Sequence, residues 1–203
     1  NVIMGEQSVT LYGKDKIADQ LSDTTFKISD QSFYQINSSQ TEKLYQQAIE
    51  YAQLTGEETV LDTYCGIGTI GLYMAPVAKH VYGVEVVPSA IKDAQQNATL
   101  NGFENTTFVC GKAEEVIIKW KQQGIKPDVV MVDPPRKGCD ETFLQTLLKL
   151  NPKRIVYISC NPSTQQRDAQ ILDSQYELQE ITPVDMFPQT THVETVALFE
   201  RKS

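Results

Sequence analysis

The chain has 203 residues, of which 40% are hydrophobic and 22% charged, a composition typical of a globular domain with a full core. Its formal net charge of −8 excludes the basic footprint by which a self-sufficient nucleic-acid-binding domain grips phosphates, although a pocket for a single nucleotide stays compatible with it. The sequence begins at Asn1 and contains no leader or long apolar run, which predicts a fragment or processed form of a cytoplasmic protein without a membrane span.

The cysteine pattern bears on metal binding. The four cysteines, Cys65, Cys110, Cys139 and Cys160, include no C-x-x-C pair, and the chain has only two histidines. This spacing argues against a zinc or iron–sulfur site built by the chain itself, so we predict no metal. We expect four free thiols, with Cys65, Cys110 and Cys139 acting as small buried hydrophobic residues.

The first part of the chain, residues 1–36, is predicted to be a short β-rich extension and a remnant of a preceding domain. Polar and apolar residues alternate over residues 8–12 and 26–29, as in short strands. A helical pattern begins after Asn37, with Ser39 and Glu42 spaced as a capping box. The apolar face of this helix consists of Leu44, Ala48, Ile49 and Ala52. Residues 37–203 are predicted to form the main domain.

Strand-like apolar runs then alternate with helical patterns along the main domain. The runs cover residues 59–62, 81–86, 107–110, 128–133 and 154–160. Such alternation predicts an α/β, Rossmann-like fold with a twisted parallel sheet and helices on both faces. The last two runs, 177–181 and 193–199, are separated by a predicted loop over 183–191 and no helical pattern, so we expect them to form an antiparallel pair.

A glycine-rich stretch after the first of these runs predicts a cofactor site. Residues 66–71 read GIGTIG and fit the G-x-G-x-x-G pattern of a strand-to-helix turn that approaches an adenosine-containing ligand. Glu85, at the end of the second run, could bind the ribose of either NAD or S-adenosylmethionine. Asp62, ahead of the glycines, would repel a pyrophosphate and attract the ammonium and sulfonium groups, which favours S-adenosylmethionine.

The ends of later strands carry candidate reactive groups. Residues 133–136, DPPR, resemble the D-P-P-aromatic motif of amino-group methyltransferases, but Arg136 replaces the aromatic residue and weakens that interpretation. Cys160 lies at the sheet edge before a helix expected near Ser163, and a helix N-terminus favours a thiolate. Glu194 would face Cys160 if the final strand is antiparallel. His192 is a second candidate base, with a structural hydrogen-bonding role as its alternative.

Taken with these residues, residues 32–203 resemble the catalytic domain of the RNA 5-methyluridine methyltransferases. The motifs that carry the resemblance are FYQIN at 33–37, the 62–68 loop, DPPR at 133–136, SCNP at 159–162 and HVE at 192–194. The resemblance implies the class I S-adenosylmethionine-dependent methyltransferase fold and methylation of uridine C5 in RNA. It favours 23S ribosomal RNA, with tRNA as the alternative.

The resemblance also implies roles for single residues. Cys160 would add to C6 of the uracil, and Glu194 would remove the proton from C5. S-adenosylmethionine would contact Gln35, Tyr64, Glu85 and Asp133, with Gly66 and Gly68 allowing close approach of the backbone. Many family members carry an N-terminal β-barrel and some an iron–sulfur site, neither of which this chain contains, so we expect the RNA to be gripped mainly by a domain outside this chain. An NAD-dependent oxidoreductase and a non-catalytic RNA- or cofactor-binding subunit are the remaining alternatives.

Overall fold

The structure, a computed structural model, describes residues 9–30 and 32–202. The strands are β1 (Lys16–Leu21), β2 (Thr24–Ser29), β3 (Thr59–Thr63), β4 (His80–Glu85), β5 (Thr106–Cys110), β6 (Val129–Val132), β7 (Arg154–Ser159), β8 (Tyr176–Val184) and β9 (Glu194–Arg201). The helices are α1 (Ser38–Ala52), α2 (Thr69–Met74), α3 (Pro88–Leu100), α4 (Ala113–Gln122), α5 (Glu141–Leu150) and α6 (Pro162–Leu172), with a 3₁₀ turn at Ala75–Val77. Over the described ranges, every helix is too short or too polar to cross a membrane.

Seven strands form one sheet in the order β5-β4-β3-β6-β7-β9-β8. The strands from β5 to β7 pair in parallel, whereas β9 is antiparallel to both of its neighbours. Short apolar runs such as β6, whose four residues are all buried, are typical of parallel strands covered on both faces. The predicted α/β class, parallel sheet and final antiparallel pair are confirmed.

Alternating side chains divide the core into two layers, one on each face of the sheet. Val60 and Val156 pack with α1, α2 and α3, whereas their neighbours Leu61 and Tyr157 pack with α4, α5 and α6. Each strand therefore contributes successive residues to opposite cores, which is the period-two pattern of a strand buried on both sides.

The hairpin of β1 and β2 is attached to α3 by polar side chains. The Asn97 side chain accepts from the backbone N–H of Lys27 at 2.8 Å and donates to its carbonyl at 3.2 Å. Asn101, one turn later, forms the same pair with Thr25, both at 2.8 Å. The two amides thus satisfy the outer edge of β2 as a neighbouring strand would. The division of the chain at residue 37 stays a prediction.

The predicted N-terminal elements are correct only in part. The strand expected at residues 26–29 is confirmed by β2, but residues 9–12 form no strand, and residue 8 lies outside the described residues. The first strand is instead Lys16–Leu21. The exposed side chains of Leu11 and Tyr12 explain the difference, because alternation without burial does not stabilise a strand.

Three further expectations need correction. The N-cap of α1 is Asn37, whose side chain accepts from the N–H of Gln40, while the side chain of Glu42 accepts from the N–H of Ser22 instead of closing a capping box. Strand β8 extends to Val184, into the predicted loop. Cys110 is exposed at the end of β5, which is an edge strand. The four cysteines are free, as expected.

Candidate active site

A cavity of about 730 Å³ opens at the carboxyl ends of the parallel strands. Its walls come from the segments that follow β3, β4, β5, β6 and β7, from the start of β9 and from residues 33–35. This is the position at which open α/β sheets bind ligands. The predicted site residues that line it are Gln35, Tyr64, Gly66, Glu85, Asp133, Cys160 and Glu194.

The two glycines of the loop after β3 have different surroundings. Gly66, with φ of 53°, lines the cavity, and its N–H donates to Glu85 Oε2 at 3.3 Å. Gly68, with φ of 82°, precedes α2, donates its N–H to the Cys65 carbonyl, and is not among the described residues that line the cavity. A Cβ on Gly68 would lie 3.0 Å from the Phe108 ring. Gly68 thus permits the turn and its packing, and its close approach to a ligand stays a prediction.

Glu85 is held at the edge of the cavity by backbone hydrogen bonds. Its Oε1 accepts from the N–H groups of Val86 at 2.7 Å and Val87 at 3.0 Å, while Oε2 accepts from Gly66. The loops after β3 and β4 are thus joined through one half-buried carboxylate. Such an arrangement fixes the direction of the acceptor before any ligand arrives.

Asp62 occupies a different place from the one that the charge argument suggests. It is fully buried, its Oδ2 accepts from the N–H of Gly71 at 2.9 Å, and it does not belong to the described cavity wall. Its Oδ1 has no hydrogen-bond partner among the described residues, and burial raises its pKa to about 8. The expected attraction to a bound cation is corrected, because Asp62 accepts a hydrogen bond from the first turn of α2 and its burial disfavours the charged form.

Two further predicted residues approach the cavity from opposite sides. Tyr64 adopts a left-handed backbone conformation, with φ of 60°, and its ring packs edge-on against Phe143 at 5.4 Å between centroids. This rare conformation turns the chain directly after β3. Gln35 reaches the cavity on the segment that connects the hairpin to α1.

The antiparallel strand β9 brings together the two predicted catalytic residues. Strands β7 and β9 pair with Ser159 opposite Thr195, so the same register places Cys160 opposite Glu194 one step further. Side chains of directly opposed residues lie on the same face of an antiparallel pair, and both of these line the cavity. A thiol and a carboxyl group separated by 33 intervening residues therefore share one wall.

The electrostatics of this wall disfavour charge. Burial raises the pKa of the Cys160 thiol, and the Glu194 carboxylate raises it further, whereas Arg136 lowers it. The pKa of Glu194 is raised by burial, with Arg136 again opposing. Burial and Glu194 together raise the pKa of Asp133 to about 7. The start of α6 favours a thiolate at Cys160, but burial and the two acids oppose it, so the pKa of Cys160 lies above its usual value.

Arg136 is anchored by the segment that follows Cys160. The Asn161 side chain donates to the Arg136 carbonyl at 3.2 Å, and the Thr164 hydroxyl lies 3.4 Å from the same oxygen. His192, which is exposed and outside the described cavity wall, lies with its Nδ1 3.5 Å from Arg136 Nη2. This placement favours the alternative for His192, which is a structural hydrogen-bonding role.

Sequence reasoning missed several cavity residues. The hydroxyl of Tyr45 donates to Thr69 Oγ1 at 3.1 Å inside the cavity wall, and Lys112 and Glu114 line it after β5. The signal for the last two was available, because β5 also ends at the ligand-binding edge. Tyr45 gave no signal, since a Tyr on the apolar face of a helix is indistinguishable from a core residue.

Comparison with known proteins identifies the family. The sequence pattern of the tRNA (Uracil-5-)-methyltransferase family matches residues 7–202. An RNA methyltransferase of Staphylococcus epidermidis is 85% identical over 202 residues, and one of Staphylococcus aureus strain COL is 83% identical. These matches cover all of this chain but 44% and 45% of the two relatives, so the chain spans less than half of their length.

Comparison with solved structures supports the same family. The Pyrococcus abyssi tRNA (uracil-54, C5)-methyltransferase, in complex with S-adenosyl-L-homocysteine, is 35% identical with a TM-score of 0.81, over 97% of this chain and 48% of that one. The M. jannaschii tRNA m1G37 methyltransferase, at 14% identity and a TM-score of 0.68, shares the fold over 95% of this chain and 58% of its own. The fold is thus that of the S-adenosylmethionine-dependent methyltransferases. From the match over nearly its whole length, the chain belongs to the tRNA (uracil-5-)-methyltransferase family.

Proposed function

We propose that the protein transfers a methyl group from S-adenosylmethionine to C5 of a uridine in RNA. The observation that carries this proposal is the register of β7 and β9, which sets Cys160 opposite Glu194 on one wall of the cavity. The glycine loop and Glu85 form another part of the same wall. A nucleophile, a base and a cofactor cradle around one cavity are what the methylation of uracil requires.

The residues present fit S-adenosylmethionine. The cavity volume of about 730 Å³ lies in the range of ordinary ligand sites, and Glu85 is an oriented acceptor suited to a ribose. The Pyrococcus relative was solved with S-adenosyl-L-homocysteine. We assign binding to Gln35, Tyr64, Gly66, Glu85 and Asp133, with Gly68 acting through the turn. When bound, this cofactor supplies an electrophilic methyl group on a sulfonium.

The protein residues carry the remaining chemistry. Uracil C5 is too weak a nucleophile unaided, so the Cys160 thiolate adds to C6 and leaves an enolate whose C5 takes the methyl group. Glu194 then removes the proton from C5, the C5–C6 double bond re-forms, and the C6–S bond breaks with its electron pair to release the Cys160 thiolate. Arg136 supports the first step, since it opposes the rise in the pKa of Cys160.

The proposal also concerns the class of RNA that is methylated. We favour 23S ribosomal RNA and hold tRNA as the second candidate, because the Pyrococcus relative acts on uracil 54 of tRNA. The formal charge of −8 supports the proposal that another domain of the protein grips the RNA. Incubation of the intact protein with each RNA separately, followed by mapping of 5-methyluridine, distinguishes the two substrates.

The covalent step can be tested with 5-fluorouridine, because fluorine at C5 blocks proton removal. We expect the intact protein, incubated with S-adenosylmethionine and RNA containing 5-fluorouridine, to gain the mass of the RNA plus one methyl group. The Cys160→Ala variant should show no adduct. If the wild-type protein binds the cofactor and methylates natural RNA but forms no adduct, the assigned nucleophile is wrong.

A further inference from the structure

A buried hydrogen bond lies directly behind the proposed catalytic pair. The hydroxyl of Thr195 donates to Gln165 Oε1 at 2.9 Å, and both residues are at least 94% buried. The Gln165 side chain in turn donates from Nε2 to the Tyr157 carbonyl at 2.9 Å. The carbonyl of Ser159 lies 3.3 Å from the same threonine hydroxyl. One glutamine of α6 therefore joins β7 to β9.

The orientation of this glutamine follows from its partners. A carbonyl can only accept, so the amide nitrogen of Gln165 must face Tyr157, and its oxygen must face Thr195. Every polar atom of the contact is then satisfied in a region from which water is excluded. Loss of the threonine hydroxyl would leave the amide oxygen without that donor.

The contact adjoins both reacting groups. Thr195 follows Glu194 on β9, and because successive side chains of a strand point to opposite faces, one reaches α6 while the other lines the cavity. Gln165 lies on the helix that begins two residues after Cys160. The segment bearing the nucleophile and the strand bearing the base are thus tied together by one pair of side chains.

We propose that the Thr195–Gln165 hydrogen bond is a positioning contact that holds Glu194 opposite Cys160 for removal of the C5 proton. The inference rests on the proposed function of Cys160 and Glu194. The β-ladder fixes the register, but the first residue of a strand is held by the ladder on one side only, so its side chain needs a second restraint. Proton removal depends on this restraint more than cysteine addition does, because the base resides on the strand that the contact restrains.

The test separates proton removal from the earlier steps. The intact Thr195→Val protein, which keeps the shape and loses the hydroxyl, is mixed with S-adenosylmethionine and natural uridine RNA under single-turnover conditions. We expect formation of the methylated protein–RNA adduct within about twofold of wild type and release of 5-methyluridine RNA slowed about 10- to 100-fold. Deuterium at C5 should slow release further in this variant.

Matched variants identify the contact as the cause. Thr195→Ser retains a hydroxyl and should restore release. Thr182→Val removes a comparable hydroxyl on β8, one that bonds Tyr51 at 2.7 Å, and should leave release unchanged. Gln165→Met removes the other partner, and the double variant should be no slower than the slower single variant, since both lose the same contact.

A readout without substrate covers the case in which turnover is poor. Because the Glu194 carboxylate raises the pKa of Cys160 while Arg136 lowers it, the pH dependence of Cys160 alkylation reports how close Glu194 lies. The midpoint should shift to lower pH in Thr195→Val and remain in place in Thr182→Val. Asp133 also raises this pKa, and its contribution is common to both variants.

Two outcomes overturn the positioning role. Equal slowing of adduct formation and of product release in Thr195→Val, with no isotope effect, would indicate general destabilisation. Unchanged product release in this variant would mean that the contact does not influence proton removal. Failure of the proposed function itself looks different: the wild-type protein would then form no Cys160-dependent adduct at all.

Discussion

The two halves of the cavity are built in contrasting ways. On the side of β3 and β4, the binding groups are loop amides and one carboxylate, Glu85, which accepts from three backbone N–H groups. On the side of β6, β7 and β9, Asp133, Cys160 and Glu194 all have pKa values raised by burial. The first half is ordered through satisfied hydrogen bonds, whereas burial in the second half disfavours the charged forms of the two carboxyl groups and the thiol.

This contrast matches the two tasks that we propose. A cofactor cradle needs fixed directions for acceptors and close approach of the backbone, which satisfied loops provide. A catalytic wall needs groups that gain and lose protons near neutral pH, and burial near other charges provides those. Substitutions of Cys160 and Glu194 should therefore affect the chemical steps, whereas substitutions of Glu85 should affect cofactor binding.

The largest expected effect tests the catalytic half alone. Cys160→Ala should lower RNA methylation by at least about 10³-fold, because it removes the sulfur that is proposed to form the bond to C6. Binding of S-adenosylmethionine, measured by calorimetry, should stay within about twofold of wild type. Cys110→Ala, at the exposed end of β5, is the matched control and should methylate normally. Equal loss of cofactor binding in Cys160→Ala would contradict the division into halves.

Removal of the base should give the next largest effect. Glu194→Gln is expected to slow product release by about 10²- to 10⁴-fold and to accumulate the methylated adduct, which a denaturing gel detects. In wild type, release should decline as the pH falls through the raised pKa of Glu194, because the carboxyl form cannot accept the proton. Glu177→Gln, exposed on β8, is the control. If the rate of product release depends neither on pH nor on the substitution of Glu194, another residue acts as the base.

A smaller effect is expected in the cofactor half. Glu85→Gln keeps one acceptor oxygen but loses the charge, and it should raise the Kd for S-adenosylmethionine about 10- to 100-fold. The alkylation rate of Cys160 should be unchanged, since Glu85 is absent from the groups that shift its pKa. Glu115→Gln, an exposed residue of α4, should bind the cofactor normally. If Glu85→Gln leaves the Kd for S-adenosylmethionine unchanged, the assignment of Glu85 to the ribose is wrong.

The smallest expected effect concerns the contribution of the buried residue Asp62 to the stability of the fold. Burial raises the pKa of Asp62 to about 8 in the folded state, against an unfolded value near ~3.9. The folded protein then binds the proton of Asp62 more tightly than the unfolded chain does. The contribution of Asp62 to the free energy of unfolding is therefore greatest below pH ~4 and is lost as the pH rises towards 8.

Between pH 7 and pH 8, we expect this group to lower the free energy of unfolding by on the order of 1 kcal/mol, measured with urea at each pH. Asp62→Asn should flatten that dependence, while exposed Asp23→Asn should retain it. A dependence of the same steepness in both variants would mean that Asp62 ionises normally.

Part of the site could be predicted from the sequence because it depends on local signals. The run GIGTIG after a strand predicted the turn, and Gly66 and Glu85 indeed meet there. The acid Asp62 was placed correctly at a strand end but given the wrong partner, since no sequence pattern tells whether a carboxylate points into a cavity or towards the next helix. The exposure of Cys110 was equally hidden, because it depends on which strand forms the sheet edge.

Hydrophobic periodicity was enough to determine the α/β class and the parallel sheet, whereas the family was indicated by the resemblance that the motifs of this chain carry. The sequence predicted that Glu194 faces Cys160 if the final strand is antiparallel, but only the tertiary structure decided the register of β7 and β9. It also decided that Arg136 lies beside both residues and that Tyr45 lines the same cavity. The physical reason is range: turns and periodicity arise from neighbours in sequence, whereas strand register, burial and the resulting pKa values arise from residues that folding brings together.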